Sequence, residues 1–204
     1  MTQPVKPALI LASSSPRRAD YLRLLGVDFL SVSPDVDEAV LEDELPRDYV
    51  MRLALSKAES VRDSQASGSA VLAADTAVSL GSKIFGKPVD QTAGRDMLMQ
   101  LSGRTHQVYT AVVVCRDDWV GKVCVDASVT FDALTDHQQA CYWASGEGAD
   151  KAGGYGIQGL AGTFVSELTG SYSAVVGLPM NETRQLLDQA GVPHRMNQLP
   201  DSDR

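Results

Sequence analysis

Val71-Leu72-Ala73-Ala74-Asp75-Thr76 is an apolar run that stops at a carboxylate and a hydroxyl. Four consecutive apolar residues predict a buried strand. A carboxylate at the end of such a strand is costly unless a cation or hydrogen bonds hold it. Asp75 is therefore either a turn or cap acid or the centre of a site. The chain continues through Ala77-Val78-Ser79-Leu80, Gly81-Ser82 and Lys83-Ile84-Phe85. That order predicts a strand, a short turn and a returning strand, which Gly86-Lys87-Pro88 closes with Lys87 near Asp75.

Upstream, Ala8-Leu9-Ile10-Leu11-Ala12 is a short apolar strand that runs into Ser13-Ser14-Ser15-Pro16-Arg17-Arg18. Ser15 suits an N-cap and Pro16 the first helical position. The predicted helix carries Tyr21, Leu22, Leu24 and Leu25 on its apolar side and ends at Gly26. Two arginines in a first turn oppose the helix dipole, which favours acids there. An anion resolves the conflict: serine hydroxyls, free backbone N–H groups and the guanidinium groups of Arg17 and Arg18 form a phosphate-type loop. Solvated arginines at a helix start are the competing reading, and they leave the serine run unexplained.

Val27 to Ser33 alternates as a strand, and Pro34 to Glu38 is an acidic turn. Glu38 could ligate a divalent metal or activate water, against a plain solvated acid. Pro46 opens a second helix, on which Lys57 shares the face of Val50, Leu53 and Ala54. A lysine there either snorkels to solvent or points its charge into a cleft. Asp63 to Gly68 reads as a polar loop. Thr92 to Leu101 reads as a helix and Ser102 to His106 as a turn, with His106 more in keeping with a structural histidine than a general base. Gln107 to Cys115 and Trp119 to Phe131 form an antiparallel pair, and Thr135 caps a further helix through Trp143.

The segment Asp150 to Gly162 is rich in glycine, which lets backbone approach a ligand closely. Gln158 lies within it, with an amide able to read one donor and one acceptor on a base edge. A flexible connection is the equal alternative. Thr163-Phe164-Val165 and Tyr172 to Gly177 read as strands around a turn at Thr169-Gly170. A last helix runs through Leu186 and Leu187 to Gly191. The domain is set at residues 1–192, two lobes around a cleft, and 193–204 as a polar, disordered tail.

Composition narrows the class. The 204 residues, 44% hydrophobic and 22% charged, suit one globular domain. A net charge of -8 disfavours nucleic acid and anionic membrane as partners. Cys115, Cys124 and Cys141 form neither a disulfide framework nor a zinc motif. The first residues lack the apolar core of a signal peptide and no run reaches membrane-span length, so a cytoplasmic location is expected. Together, cations for a polyphosphate (Arg17, Arg18, Lys57, Lys87), acids for metal and water (Glu38, Asp75) and an amide for a base (Gln158) describe a nucleotide hydrolase. The Walker A motif is missing, so it is not a P-loop enzyme.

The same residues carry a family resemblance. LASSSPRR at Leu11–Arg18, Asp37-Glu38, RLALSKA at Arg52–Ala58, AADT at Ala73–Thr76, GKP at Gly86–Pro88, SGRTHQV at Ser102–Val108, KAGGYGIQG at Lys151–Gly159 and VVGLP at Val175–Pro179 make residues 8 to 191 resemble a Maf-type nucleoside triphosphate pyrophosphatase. The resemblance implies an α/β fold like that of inosine triphosphate pyrophosphatases, a mixed bent sheet flanked by helices around a central cleft. It implies hydrolysis between the α and β phosphates with magnesium or manganese, in a house-cleaning role on the nucleotide pool. It makes Asp75 the general base, Glu38 and Asp75 the metal ligands, and Ser13, Arg17, Arg18, Lys57 and Lys87 the phosphate set. Asp75 either takes the water's proton or only orients the water.

Arg17, Thr76 and Gln158 match the branch similar to dTTP/UTP pyrophosphatases, whereas the branch acting on 7-methyl-GTP has Trp, Gln and Glu there. The alternatives are a septum-formation inhibitor or regulatory binding protein without turnover, a 7-methyl-GTP-type pyrophosphatase, and a hydrolase releasing γ-phosphate. A homodimer stays open.

Overall fold

The structure is a computed structural model and describes residues 8–62 and 68–198. Its centre is one mixed sheet. In chain order the elements are β1 (Leu9–Ala12), α1 (Pro16–Leu25), β2 (Phe29–Val32), α2 (Pro46–Arg62), β3 (Ala70–Leu80), β4 (Lys83–Phe85), α3 (Gln91–Leu101), β5 (Thr105–Arg116), β6 (Trp119–Phe131), α4 (Asp136–Ala144), β7 (Val165–Gly170), α5 (Tyr172–Val176) and α6 (Met180–Gln189), with two short 3-10 turns at Ala152–Gly154 and Leu160–Phe164. The seven strands order as β2-β1-β3-β5-β6-β7, and β4 pairs with β3 off that path. β1 is parallel to β2 and β3, and the remaining pairs are antiparallel.

The strand period of two sorts β3 between two cores. Leu72 and Ala74 face α1 and α6, with Leu22, Leu187 and Val192. Val71, Ala73 and Ala77 face α2, with Val50, Leu53, Ala54 and Val61. Asp75 shares the odd parity, so it faces α2, and Thr76 faces the other side. Both faces of β3 are covered, which is why it reads as a continuous apolar run rather than an alternating one. A third core joins the far ends of β3, β5 and β6 to α3, α4 and the glycine segment, through Val78, Phe131, Tyr142, Tyr155 and Phe164.

Asp75 does not end its strand. β3 continues to Leu80, but its parallel neighbour stops at the Ala12–Ala73 pair, and β4 takes up the same edge only at Val78. Between them, Ala74 to Ala77 pair with β5 alone. The sheet is split at this point, and the polar residues sit at the split.

Several local expectations are corrected. Val165–Gly170, including the expected turn at Thr169-Gly170, is strand β7 against β6. Tyr172–Val176 is a helix, because the Ser171 hydroxyl accepts the Ala174 N–H and starts a helical turn. Ser15 precedes α1 without a side-chain cap; Ser13 Oγ accepts the Ser15 N–H instead. Leu24 is exposed, whereas Leu22 and Leu25 pack inward. Residues 193–198 are no loose tail: His194 is buried, its Nε2 meets Asp188 Oδ1 at 2.9 Å, and Arg195 N–H donates to Leu25 O. Residues 63–67 of the expected polar loop, and 199–204, lie outside the described residues. No helix among the described residues is long and apolar enough to cross a membrane.

His106 belongs to β5 rather than a turn. It is buried against Phe131 and Tyr155, with Nε2 2.7 Å from the Tyr155 hydroxyl. Burial pulls its imidazole from 6.5 down to about 4. Well above pH 6.5 the folded and unfolded chains are both neutral at this group. As pH falls towards about 4, only the unfolded chain takes the proton, so stability declines by up to about 3 kcal/mol and then levels off. Urea unfolding of the parent and His106→Gln across this window tests the assignment: the variant should lose less stability on acidification, and parallel curves would refute it.

Candidate active site

The split in the sheet opens into a cleft of about 760 Å³. All nine residues singled out from the sequence (Ser13, Arg17, Arg18, Glu38, Lys57, Asp75, Thr76, Lys87 and Gln158) line it. They come from six places: the turn after β1 with the start of α1, the loop before α2, the buried face of α2, the middle of β3, the loop after β4 and the loop after α4.

Asp75 lies on the face of β3 that α2 covers, and Lys57 lies on the face of α2 that packs there. Their meeting is thus set by strand parity and helix period. Lys57 does not reach solvent. Its Nζ is 2.5 Å from Asp75 Oδ1 and 2.6 Å from Glu38 Oε1. One buried ammonium joins two carboxylates. Lys87 approaches Glu38 Oε2 at 3.8 Å from the exposed side.

The two acids differ electrostatically. Burial pushes the Asp75 carboxyl above the ordinary Asp value, against the opposing pull of Lys57 and Arg18. Burial also pushes on Glu38, but the Lys57 hydrogen bond and charge, with Lys87 and Arg18, hold it below the ordinary range. Two carboxylates in one site with separated proton affinities can divide the roles of proton acceptor and fixed charge.

The loop from Ser33 to Leu45 has no regular structure, and side chains of α2 fix it. Tyr49 donates its hydroxyl to Glu38 O at 3.0 Å. Arg52 donates to Ala39 O at 2.9 Å and to both oxygens of Glu44 at 2.6 and 2.7 Å. Tyr49, Leu53 and Lys57 recur every four residues on one helix face, and that spacing was the signal available for Tyr49. The sequence reading quoted Arg52 only as part of a motif.

On the other face of β3, each nitrogen of Arg18 donates a hydrogen bond. Its Nε donates to Gly177 O at 2.9 Å, Nη1 to Ser13 Oγ at 3.2 Å and Nη2 to Thr76 Oγ1 at 3.2 Å. Thr76 also meets the Thr110 hydroxyl at 2.9 Å. Arg18 therefore ties the start of α1 to β3 and to the turn after α5. Arg17 makes no hydrogen bond to a described residue, and α1 has no acid in its first turn. A helix N-terminus with an uncommitted guanidinium and serine hydroxyls is suited to an anion.

Gln158 is exposed at the opposite wall, and its amide hydrogen-bonds to no described residue. The glycine segment around it is not the flexible connection weighed as an alternative. Gly153 N–H donates to Gly86 O, and Gly153, at φ 71, sits with a would-be Cβ 3.0 Å from Val78. Any larger residue there would be strained in its backbone and crowded against β3. Glu147, which the sequence reading passed over, also lines this wall.

A mixed α/β protein with a helix start suited to an anion and two carboxylates on one lysine is the class that fold and site define. The chain belongs to the Maf family: the family model described as Maf-like protein matches residues 8–190. It is 50% identical over 180 residues to a dTTP/UTP pyrophosphatase of Pseudoalteromonas translucida (strain TAC 125), covering 88% of this chain and 95% of that one. It is also 50% identical over 189 residues to a dTTP/UTP pyrophosphatase of Sphingopyxis alaskensis (strain DSM 13593 / LMG 18877 / RB2256), covering 92% and 98%. Among solved structures, the Staphylococcus aureus Ham1 protein superposes over 93% of this chain and 92% of its own, at 14% identity and a TM-score of 0.44. A likeness of that degree carries nothing about chemistry.

Removing Lys57 tests the bridge. Losing one partner of a buried ion pair typically costs about 3–5 kcal/mol, and Glu38 is partly exposed, so Lys57→Met should lose about 3 kcal/mol of unfolding free energy in urea. Adding Asp75→Asn should recover much of it. A Lys57→Met variant as stable as the parent would sink the bridge as a structural tie.

Proposed function

We propose that this chain hydrolyses dTTP and UTP to the nucleoside monophosphate and pyrophosphate. The observation that carries the reading is that the Lys57-linked Asp75–Glu38 pair shares one cleft with a phosphate-type helix start and with Gln158. Relatives 50% identical over nearly their whole length, both named dTTP/UTP pyrophosphatase, support it.

In this reading Arg17, Lys87 and the serine loop take the triphosphate, with Arg18 holding Ser13 and Thr76 in place. Charge-assisted donors of this kind fix the phosphates and oppose the charge that develops in the transition state. Asp75 accepts a proton from the attacking water, whose oxygen forms a bond to the α-phosphorus. The bond from that phosphorus to the α–β bridging oxygen breaks, and pyrophosphate leaves with the electron pair. An Asp raised by burial is a better proton acceptor than an exposed one. Gln158 offers one donor and one acceptor, which matches the mixed edge of uracil and thymine.

Asp75 and Glu38 would also hold a divalent cation. Among the described residues no group of three or more His, Cys, Asp or Glu could hold one alone. Two carboxylates suit magnesium or manganese, which take one or two protein oxygens and fill the remaining positions with water and substrate phosphate. When bound, such an ion neutralises charge at the phosphates. Lys57 holds the two acids together meanwhile.

A panel of nucleoside triphosphates with magnesium or manganese, read separately for pyrophosphate and orthophosphate, tests the reading. Pyrophosphate should appear from dTTP and UTP, and should vanish in Asp75→Ala and on adding a chelator. Orthophosphate and a diphosphate, or turnover of 7-methyl-GTP alone, would overturn it. In the metal-free protein the Asp75 carboxyl should titrate above the ordinary Asp value of 3.8, read by carboxyl NMR across pH. A metal-free midpoint at or below that value would remove burial as the dominant influence on Asp75.

A further inference from the structure

The glycine segment is tied down on both sides of Gln158. Tyr142, buried at the end of α4, donates its hydroxyl to Glu147 Oε1 at 3.0 Å and accepts the Gly156 N–H at 3.1 Å. Glu147 Oε2 accepts the Leu160 N–H at 2.8 Å, and Oε1 accepts the Ala161 N–H at 3.4 Å. Gly156 on one side and Leu160 on the other thus hang from one tyrosine–carboxylate pair. Between them lie only Ile157, Gln158 and Gly159.

The backbone rests directly on that pair. A Cβ on Gly159 would fall 2.1 Å from Glu147 Oε2, and one on Gly156 would fall 2.8 Å from Lys151 Cδ. Lys151 in turn donates to Glu147 O and, at 2.6 Å, to Asp150 Oδ1. Both oxygens of Glu147 are occupied by protein donors, so its chemistry is spent on the loop. Gln158 is the reverse case: an exposed side chain on a fixed backbone.

We propose that the Tyr142–Glu147 pair is a positioning device for base recognition, holding the Gln158 amide in register with the pyrimidine edge and so setting which nucleoside triphosphates the cleft accepts. This rests on the reading of Gln158 given above. The physical reason is entropic. An amide on an untethered glycine loop must be ordered at each binding event, and that cost falls on affinity. The base edge does not change during phosphoryl transfer. The loss is therefore equal in the ground and transition states, and appears in KM rather than kcat.

The test is a double-mutant cycle on the full chain. Tyr142→Phe removes both hydroxyl contacts and keeps the ring. It should raise KM for dTTP and UTP by about fivefold, as expected for two lost hydrogen bonds, with kcat within about twofold. The kcat/KM for GTP should stay at its parent level. In a Gln158→Ala background, the same Tyr142→Phe change should add no further loss. Should Tyr142→Phe fold poorly, Glu147→Gln carries the same cycle with its shape retained.

A loss that is equally large in the Gln158→Ala background overturns the proposal, as does a uniform fall in kcat for every substrate. Both outcomes leave the function standing. Pyrophosphate absent from the parent enzyme with dTTP and UTP, or unaltered selectivity in Gln158→Ala, would instead overturn the functional reading beneath it.

Discussion

β3 loses its parallel neighbour four residues after it begins, and the site depends on that loss. β1 stops at Ala12, while β3 runs on to Leu80. From Ala74 to Ala77 one edge of a central strand is left without a strand partner. The turn after β1, the serine loop and the start of α1 fall at this gap because the chain leaves β1 there. Both faces of β3 are reachable through the gap. This is how Asp75 and Thr76, adjacent and of opposite parity, line one cleft.

The Lys57 bridge follows from this geometry. A carboxylate in the middle of a buried strand must be compensated, and α2 packs over that face near Asp75 with a cation on its inward side. The same ammonium draws in Glu38 from a loop without regular structure, and Tyr49 and Arg52 hold that loop to α2. Burial and charge then act oppositely on the two acids, raising Asp75 and lowering Glu38. A like-charged pair on one buried cation costs stability in a fold that did not use it, which argues for chemistry at this point.

The two walls of the cleft are built differently. On the wall proposed to take the phosphates, Arg18 is fixed by hydrogen bonds that span α1, β3 and the end of α5, while Arg17 has no hydrogen bond to a described residue. The wall proposed to read the base is backbone drawn tight around Glu147 and Tyr142. Charges attract the polyphosphate from any direction, whereas reading a base edge needs one amide in one place. The second task is the one that demands a rigid loop.

The sequence by itself determined most of the elements and singled out nine of the residues that line the cleft. Hydrophobic runs, turn residues and ordered motifs gave β1, β3, β5, β6 and the long helices, and placed Asp75, Lys57 and Arg18 as candidates. It misread the segment from Thr163 to Gly177, where β-branched and aromatic residues suit a strand or a capped helix equally, and only pairing with β6 decides. It placed His106 in a turn because Ser102-Gly103 signals one, although the ladder with β6 extends past it. It passed over Glu147, since an acid between two glycines has no local signature and its partners, Leu160 and Ala161, are fixed only by folding. Which way Lys57 points was open on the helix alone. Tertiary structure decided it, because the parity of β3 places Asp75 opposite, and a buried charge takes the partner within reach.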